Sequence, residues 1–214
     1  MKLYQRSQLY FKDKYGYELY LTGGTLLGFA RAGGGVISID KDFDSGYLSK
    51  HTEPAAIKAE FKAIIRDLLQ AGEDIRLITR VGKKFRSDYF MWFDKRGCHI
   101  DLFPGAFING YYRRPTFVDT TLTKDDFFPF VATRFNGYDV MVPNQVEKKV
   151  AAVYGVGWRT PDPFWKKVKS DTIKSYRREI MLTEKDFLEL AEFSIREGEF
   201  ICDMISRGEF SIQY

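Results

Sequence analysis

The chain is poor in the side chains that bind soft or borderline metals. Its 214 residues include two cysteines, Cys98 and Cys202, and two histidines, His51 and His99. Two distant thiols with no CxxC spacing make neither a disulfide framework nor a zinc site. Any metal chemistry then falls to carboxylates, which selects a hard cation such as Mg²⁺ or Mn²⁺. Also missing is any apolar run near the ~18 residues needed to span a membrane. The N-terminus lacks the apolar core of a signal peptide, so a cytoplasmic location is expected. Positive charge is not clustered. The net charge is +4, and the positives are scattered apart from Lys166-Lys167-Val168-Lys169 and Arg177-Arg178. A nucleic-acid binder carries a basic stripe, so no nucleic-acid partner is expected. The mild basic balance suits an anionic small substrate, and Lys166 to Lys169 lean toward peripheral association with an anionic membrane.

What is present describes a globular protein. Hydrophobic residues make up 44% and aromatics 16%, and the length suits one domain with a helical appendage. Apolar spacing predicts a short helix over 2–15, a strand over 17–21, and helical turns from Leu26 to Arg31. The clearest helix is 54–71, with Pro54 at its first position, one face of Ile57, Phe61, Ile64, Ile65, Leu68 and Leu69, and Gly72 as its stop. Strand candidates follow at Ile75–Val81, Phe85–Phe93 and Cys98–Phe103. Residues 104–142 have no steady period and predict loops and short strands. Pro143 is read as opening a helix that ends at Gly155. The segment 161–214 is expected to be mostly helical, best over 184–205, with Thr183 and Asp186 as a capping box. The expected architecture is α+β: a small mixed sheet flanked by helices, with a catalytic domain over 1–160 and a helical C-terminal extension over 161–214 packed on it.

Chemistry concentrates at Asp42-Phe43-Asp44. Residues two apart in a strand share a face, so Asp42 and Asp44 aim together while Phe43 packs behind. Two ionised carboxylates so close repel, and a divalent cation relieves the repulsion. Upstream, Gly23-Gly24-Thr25 lies between a strand and a helix, where glycine lets the backbone approach a phosphate and helix N–H groups attract it. Asp101, in Ile100-Asp101-Leu102, is a charge inside an apolar strand that needs a partner. His99 shares its face.

These elements resemble a known signature. Leu19-Tyr20-Leu21-Thr22-Gly23-Gly24-Thr25-Leu26-Leu27-Gly28-Phe29-Ala30-Arg31, running on to Asp40-Lys41-Asp42-Phe43-Asp44, is similar to the GGTLLG element, arginine and acidic run of the LicD/fukutin-like family. Ile100-Asp101-Leu102-Phe103-Pro104 resembles its third-carboxylate strand, and Tyr154-Gly155-Val156-Gly157-Trp158-Arg159-Thr160-Pro161 its YGxxW-x-x-P element. The chain departs from the pattern at Ser38-Ile39, where the family has Pro-Trp, and at Lys41, inside the acidic run.

The resemblance implies a nucleotidyltransferase-type fold and transfer of a phospho-alcohol, such as phosphocholine, phosphoglycerol or phosphoribitol, from a CDP-activated donor to a cell-surface glycan. Asp42, Asp44 and Asp101 are then the catalytic, metal-holding carboxylates. Gly23, Gly24, Thr25 and Arg31 are the donor-binding residues, with Arg31 neutralising diphosphate charge. The same carboxylates serve a nucleotidyltransferase that moves NMP from an NTP to a small molecule or protein, and a non-catalytic nucleotide-binding scaffold is a third reading.

Overall fold

The structure, a computed structural model, describes residues 1–33, 43–77, 86–114, 118–166 and 178–193. Helix α1 (Lys2–Tyr15) is followed by β1 (Tyr20–Leu21), α2 (Gly23–Arg31), β2 (Asp44–Leu48), α3 (Pro54–Gln70) and β3 (Asp74–Leu77). Then come β4 (Arg86–Ser87), β5 (Phe90–Phe93), β6 (His99–Ile108), β7 (Tyr111–Arg114), β8 (Val118–Asp119) and α4 (Lys124–Phe127). The chain continues through β9 (Val131–Phe135), β10 (Tyr138–Val142), α5 (Val146–Tyr154), β11 (Leu182–Thr183) and α6 (Glu184–Ala191). It is the expected mixed α+β arrangement, a small mixed sheet flanked by helices.

The main sheet runs β1-β2-β6-β5-β3, with β7 and β8 continuing from the far end of β6. Strand β6 organises it. One edge of β6 pairs in parallel with β2, Asp44 opposite Asp101 through Leu48 opposite Gly105. Its other edge pairs with β5 from His99 to Leu102 and with β7 from Ala106 to Ile108. Pro104 cannot donate to a ladder, and it falls in the gap between those two partners. Helix α3 lays the expected face on this sheet. Ile57, Phe61, Ile64, Ile65, Leu68 and Leu69 are buried, and the Phe61 ring stacks on Phe90 with centroids 6.0 Å apart.

Several elements differ from the sequence expectations. Only Tyr20 and Leu21 of the expected 17–21 strand enter a ladder, against Gly46 and Ser45. The expected strand over 85–93 divides because β4 pairs with β11 while β5 pairs with β3 and β6. Between them, Ser87 Oγ donates to the Tyr89 carbonyl at 2.6 Å. Helix α5 starts at Val146, three residues after Pro143. The N–H groups of Asn144 and Gln145 donate to the carbonyls of Phe127 and Asp126, which ties this stretch to α4 before the helix begins. The aperiodic 104–142 region holds two hairpins. Asn109-Gly110 joins β6 to β7 and Asn136-Gly137 joins β9 to β10, each pair with positive φ, as a two-residue type I′ turn requires.

Of the expected C-terminal helices, α6 is described. The expected helical stretch beyond residue 193 and residues 167–177 lie outside the described residues. The capping box of α6 is formed by Thr183 and Asp186 as read from sequence. Asp186 also accepts from Lys58 at 2.7 Å and Lys62 at 3.3 Å, which fastens α6 to α3. Burial pushes the Asp186 carboxyl up, but Lys58 and the Thr183 N–H and hydroxyl outweigh it and bring the pKa to about 2. A depressed carboxyl contributes stability above its unfolded value that is lost as pH falls toward the folded one. Urea unfolding between pH 5 and pH 2 should therefore show Asp186→Asn less stable than wild type by about 1–2 kcal/mol at pH 5, with the gap closing by pH 2. A gap that stays constant across this range would separate the carboxylate from the pH dependence.

Candidate active site

Strands β2 and β6 bring two of the three expected carboxylates together. Asp44 and Asp101 are register partners, so their side chains leave the sheet on the same face. The Asp101 N–H donates to the Phe43 carbonyl at 2.9 Å. Asp101 is buried and Asp44 half-buried. His99, two residues along the same face, places Nε2 3.6 Å from Asp101 Oδ1. Asp42 lies outside the described residues. Among the described residues, no group of three His, Cys, Asp or Glu side chains is arranged to hold a metal.

The glycine turn wraps Asp44. Its Oδ2 accepts the Gly24 N–H at 2.6 Å. Its own N–H donates to Thr25 Oγ1 at 2.8 Å, and its carbonyl accepts the Thr22 N–H at 3.1 Å. Gly23 has φ +53, and a Cβ there would land on the Asp44 carboxylate. Glycine is thus required twice at this position, for the left-handed backbone and for the close approach. The turn is read from sequence as a phosphate cradle; here its Gly24 N–H serves Asp44.

Arg31 is also engaged differently from the sequence expectation. Its Nε donates to the Trp158 carbonyl at 2.6 Å and its Nη2 to the Thr160 carbonyl at 3.3 Å. The guanidinium therefore fastens the C-terminal end of α2 to the segment that carries the YGxxW-x-x-P element.

Sequence reasoning missed two buried cations behind the turn. Lys149 Nζ and Arg114 Nη1 both donate to Thr22 Oγ1, at 3.0 and 2.8 Å. Lys149 is 2% exposed. Its ammonium nitrogen lies 4.3 Å from the Tyr20 ring centroid and 5.2 Å from that of Phe127. The Arg114 guanidinium lies 3.6 Å over Phe103. A lysine in an amphipathic helix reads as solvated, and only the fold reveals that α5 turns this one inward. Burial, reinforced by Arg114, pushes the Lys149 pKa well below the ordinary 10.5, while the Asp44 charge pulls the other way.

The site therefore consists of two carboxylates on paired strands beside a glycine turn that opens a helix. Residues 16–145 match the family model described as LicD/FKTN/FKRP, nucleotidyltransferase domain. The match covers more than half of the chain, and the chain belongs to this family. Membership supports a transferase, in general terms a phosphotransferase-type role on glycans. A search of curated proteins finds no match. Among solved structures, the chain is similar to the lincomycin-bound lincosamide antibiotic adenylyltransferase LnuA, with 11% identity and a TM-score of 0.39 over 84% of this chain and 96% of that one.

The buried lysine makes a stability test. Its folded pKa lies below its unfolded one, so the unfolded chain binds more protons in the window between the two. Stability contributed by this group therefore rises as pH climbs toward 10.5. Lys149→Met removes the buried amine while keeping its length. At pH 7 it should match or exceed wild-type stability, by about 1 kcal/mol or more, and it should lose the rise toward pH 10 in a urea titration. A variant that is strongly destabilised at every pH would mean the Thr22 hydrogen bond outweighs the burial cost.

Proposed function

We propose that the chain transfers a phospho-alcohol such as phosphocholine, phosphoglycerol or phosphoribitol from a CDP-activated donor to a glycan hydroxyl, using Mg²⁺ or Mn²⁺ held by Asp42, Asp44 and Asp101. One observation supports this reading most. Asp44 and Asp101 stand opposite each other on parallel strands, with the glycine turn folded onto Asp44.

The donor set fits a hard cation. Both placed side chains are carboxylates, and side by side they repel when ionised. Gly23 lets the Asp44 carboxylate sit against the turn, where any Cβ would collide with it. When bound, the metal neutralises charge on the phosphoryl group and lowers the pKa of the attacking hydroxyl. The rest is done by the chain. The N-terminus of α2 draws the donor's diphosphate toward the carboxylates through its backbone dipoles. Gly23, Gly24 and Thr25 serve by holding Asp44. Arg31 serves by fixing the Trp158–Thr160 backbone beside α2. Asp101 takes the proton of the acceptor hydroxyl as its oxygen attacks phosphorus, while the bond to CMP breaks.

No helix among the described residues is long and apolar enough to cross a membrane. Contact with an anionic membrane through Lys166 and the basic residues after it belongs to the same proposal.

The test is the leaving group. The protein is incubated with Mg²⁺, a panel of CDP-alcohols and NTPs, and a phosphate-free glycan. CMP release with a phospho-alcohol on the glycan is expected. Pyrophosphate release with a nucleotide on the acceptor would replace this reading with nucleotidyl transfer. A chelator should abolish turnover. Asp44→Asn, Asp101→Asn and Gly23→Ala should each lower kcat/KM at least about 100-fold, with circular dichroism reporting whether each variant stays folded. A folded Asp101→Asn with full activity would remove that residue from the site.

A further inference from the structure

A second feature lies at the opposite end of α2 from the carboxylates. A cavity of about 850 Å³ opens between Leu27 and Arg31 on α2 and the segment from Tyr154 to Trp165. That volume falls within the range of small-molecule sites. Its polar lining and its aromatic lining both restrict what it can take.

The aromatic part is built and oriented. The Tyr154 and Trp165 rings lie 5.0 Å apart at 44°. The Trp165 indole N–H already donates to the Tyr154 carbonyl at 3.1 Å, so the indole is fixed, and 37% of Trp165 remains exposed. A fixed, partly open aromatic surface suits a ligand with a flat apolar face.

The polar part favours a neutral ligand that donates hydrogen bonds. Asp162 lines the cavity, and its Oδ1 accepts the Phe164 N–H at 2.8 Å, which orients the carboxylate. The Arg31 Nε and Nη2 are committed to the Trp158 and Thr160 carbonyls. The C-terminal end of α2 adds the negative pole of the helix dipole. The Arg31 charge offsets that pole and stands against Asp162, so the lining carries little net charge, and a ligand's hydroxyl groups find an acceptor in Asp162.

The position fits an acceptor. Gly24, which touches Asp44, and Arg31 are seven residues apart on one helix, about 10 Å along its axis. A ligand in the cavity therefore lies roughly 10 Å along the helix axis from Asp44, without overlapping the diphosphate position at the helix N-terminus.

We infer that this cavity binds a neutral sugar ring of the acceptor, stacked on Tyr154 and Trp165 with a hydroxyl held by Asp162. The inference rests on the proposed function for the word acceptor, but its test needs neither donor nor metal. Methyl glycosides of neutral hexoses and N-acetylhexosamines are titrated into the full chain without metal, read by saturation-transfer NMR and tryptophan fluorescence, with CMP as the competing probe. Expected is glycoside binding with saturation of the ring C–H protons, weakened about tenfold or more in Trp165→Ala and retained within about threefold in Trp165→Phe. Asp162→Asn, at an exposed position, provides a second variant and should also weaken the glycoside while leaving CMP unaffected. No glycoside binding, or binding unchanged in both Trp165→Ala and Asp162→Asn, overturns the inference. So does CMP binding that Trp165→Ala abolishes, which would make the cavity the donor's nucleoside site. Glycoside binding that follows these variants, in a protein that transfers nothing, would uphold the site and count only against the transfer reaction.

Discussion

Two carboxylates set side by side repel, and a chain that places Asp44 opposite Asp101 must hold them there by other means. The parallel pairing of β2 with β6 supplies the frame, since the register from Asp44–Asp101 to Leu48–Gly105 leaves no freedom to slide. A slip of one residue would send one carboxylate to the other face. The glycine turn supplies the local clamp. Gly24 donates to the Asp44 side chain, Thr25 accepts from its N–H, and Thr22 donates to its carbonyl. Three consecutive contacts join the helix start to the strand start. The geometry of α2 and the position of Asp44 are therefore one constraint, and the glycine at position 23 is its narrowest point.

Behind that clamp the fold accepts a cost. Lys149 and Arg114 reach the same hydroxyl of Thr22 within a wall of aromatic rings. Burying two cationic groups this close is unfavourable by charge and by desolvation. The aromatic faces of Tyr20, Phe127 and Phe103 recover part of it, and the Asp44 charge recovers more. The arrangement gives the inner side of the turn positive character that complements the outer carboxylates. Thr22, the N-cap of α2, thus stands between the two signs of charge.

The parts legible in the sequence are those whose signal is local. The α3 face and the Thr183–Asp186 capping box depend on spacing along one segment, and each reading names the right element. The GGT turn, Asp44 and the strand of Asp101 also fall where their spacing places them, while Asp42 lies outside the described residues. The Asn109-Gly110 and Asn136-Gly137 hairpins are equally local. The region that lacks a steady period nonetheless holds two of the strongest short-range turn signals, because a two-residue Asn-Gly turn leaves no mark on hydrophobic periodicity. Lys149 is different in kind. Its neighbours in sequence predict a solvated residue, and only the docking of α5 against α2 and the Tyr20–Tyr112–Phe127 cluster turns it inward. The pairing of Asp44 with Asp101 across 57 positions likewise follows from strand register, which neither motif contains. Helix α5 starts later than the sequence predicts for a tertiary reason, the backbone bonds from Asn144 and Gln145 to the end of α4.

Helix α2 is only nine residues long, yet it separates two chemistries by the polarity of its own backbone. At its N-terminus the partial positive charge and the nearby cations favour an anion beside the carboxylates. At its C-terminus the partial negative charge is matched by Arg31, which is in turn tied to the carbonyls of Trp158 and Thr160. On the proposed function, the donor's diphosphate lies at the N-terminal end of this element and the acceptor at its C-terminal end. Fixing both ends matters for a transfer between two substrates, because reacting groups must meet within a narrow range of distance and angle. A longer helix would place the cavity at its C-terminal end farther from Asp44. A less firmly held one would let the two ends move independently. The Arg31 clamp at one end and the Gly23–Asp44 contact at the other give this short helix the rigidity that the proposed reaction requires.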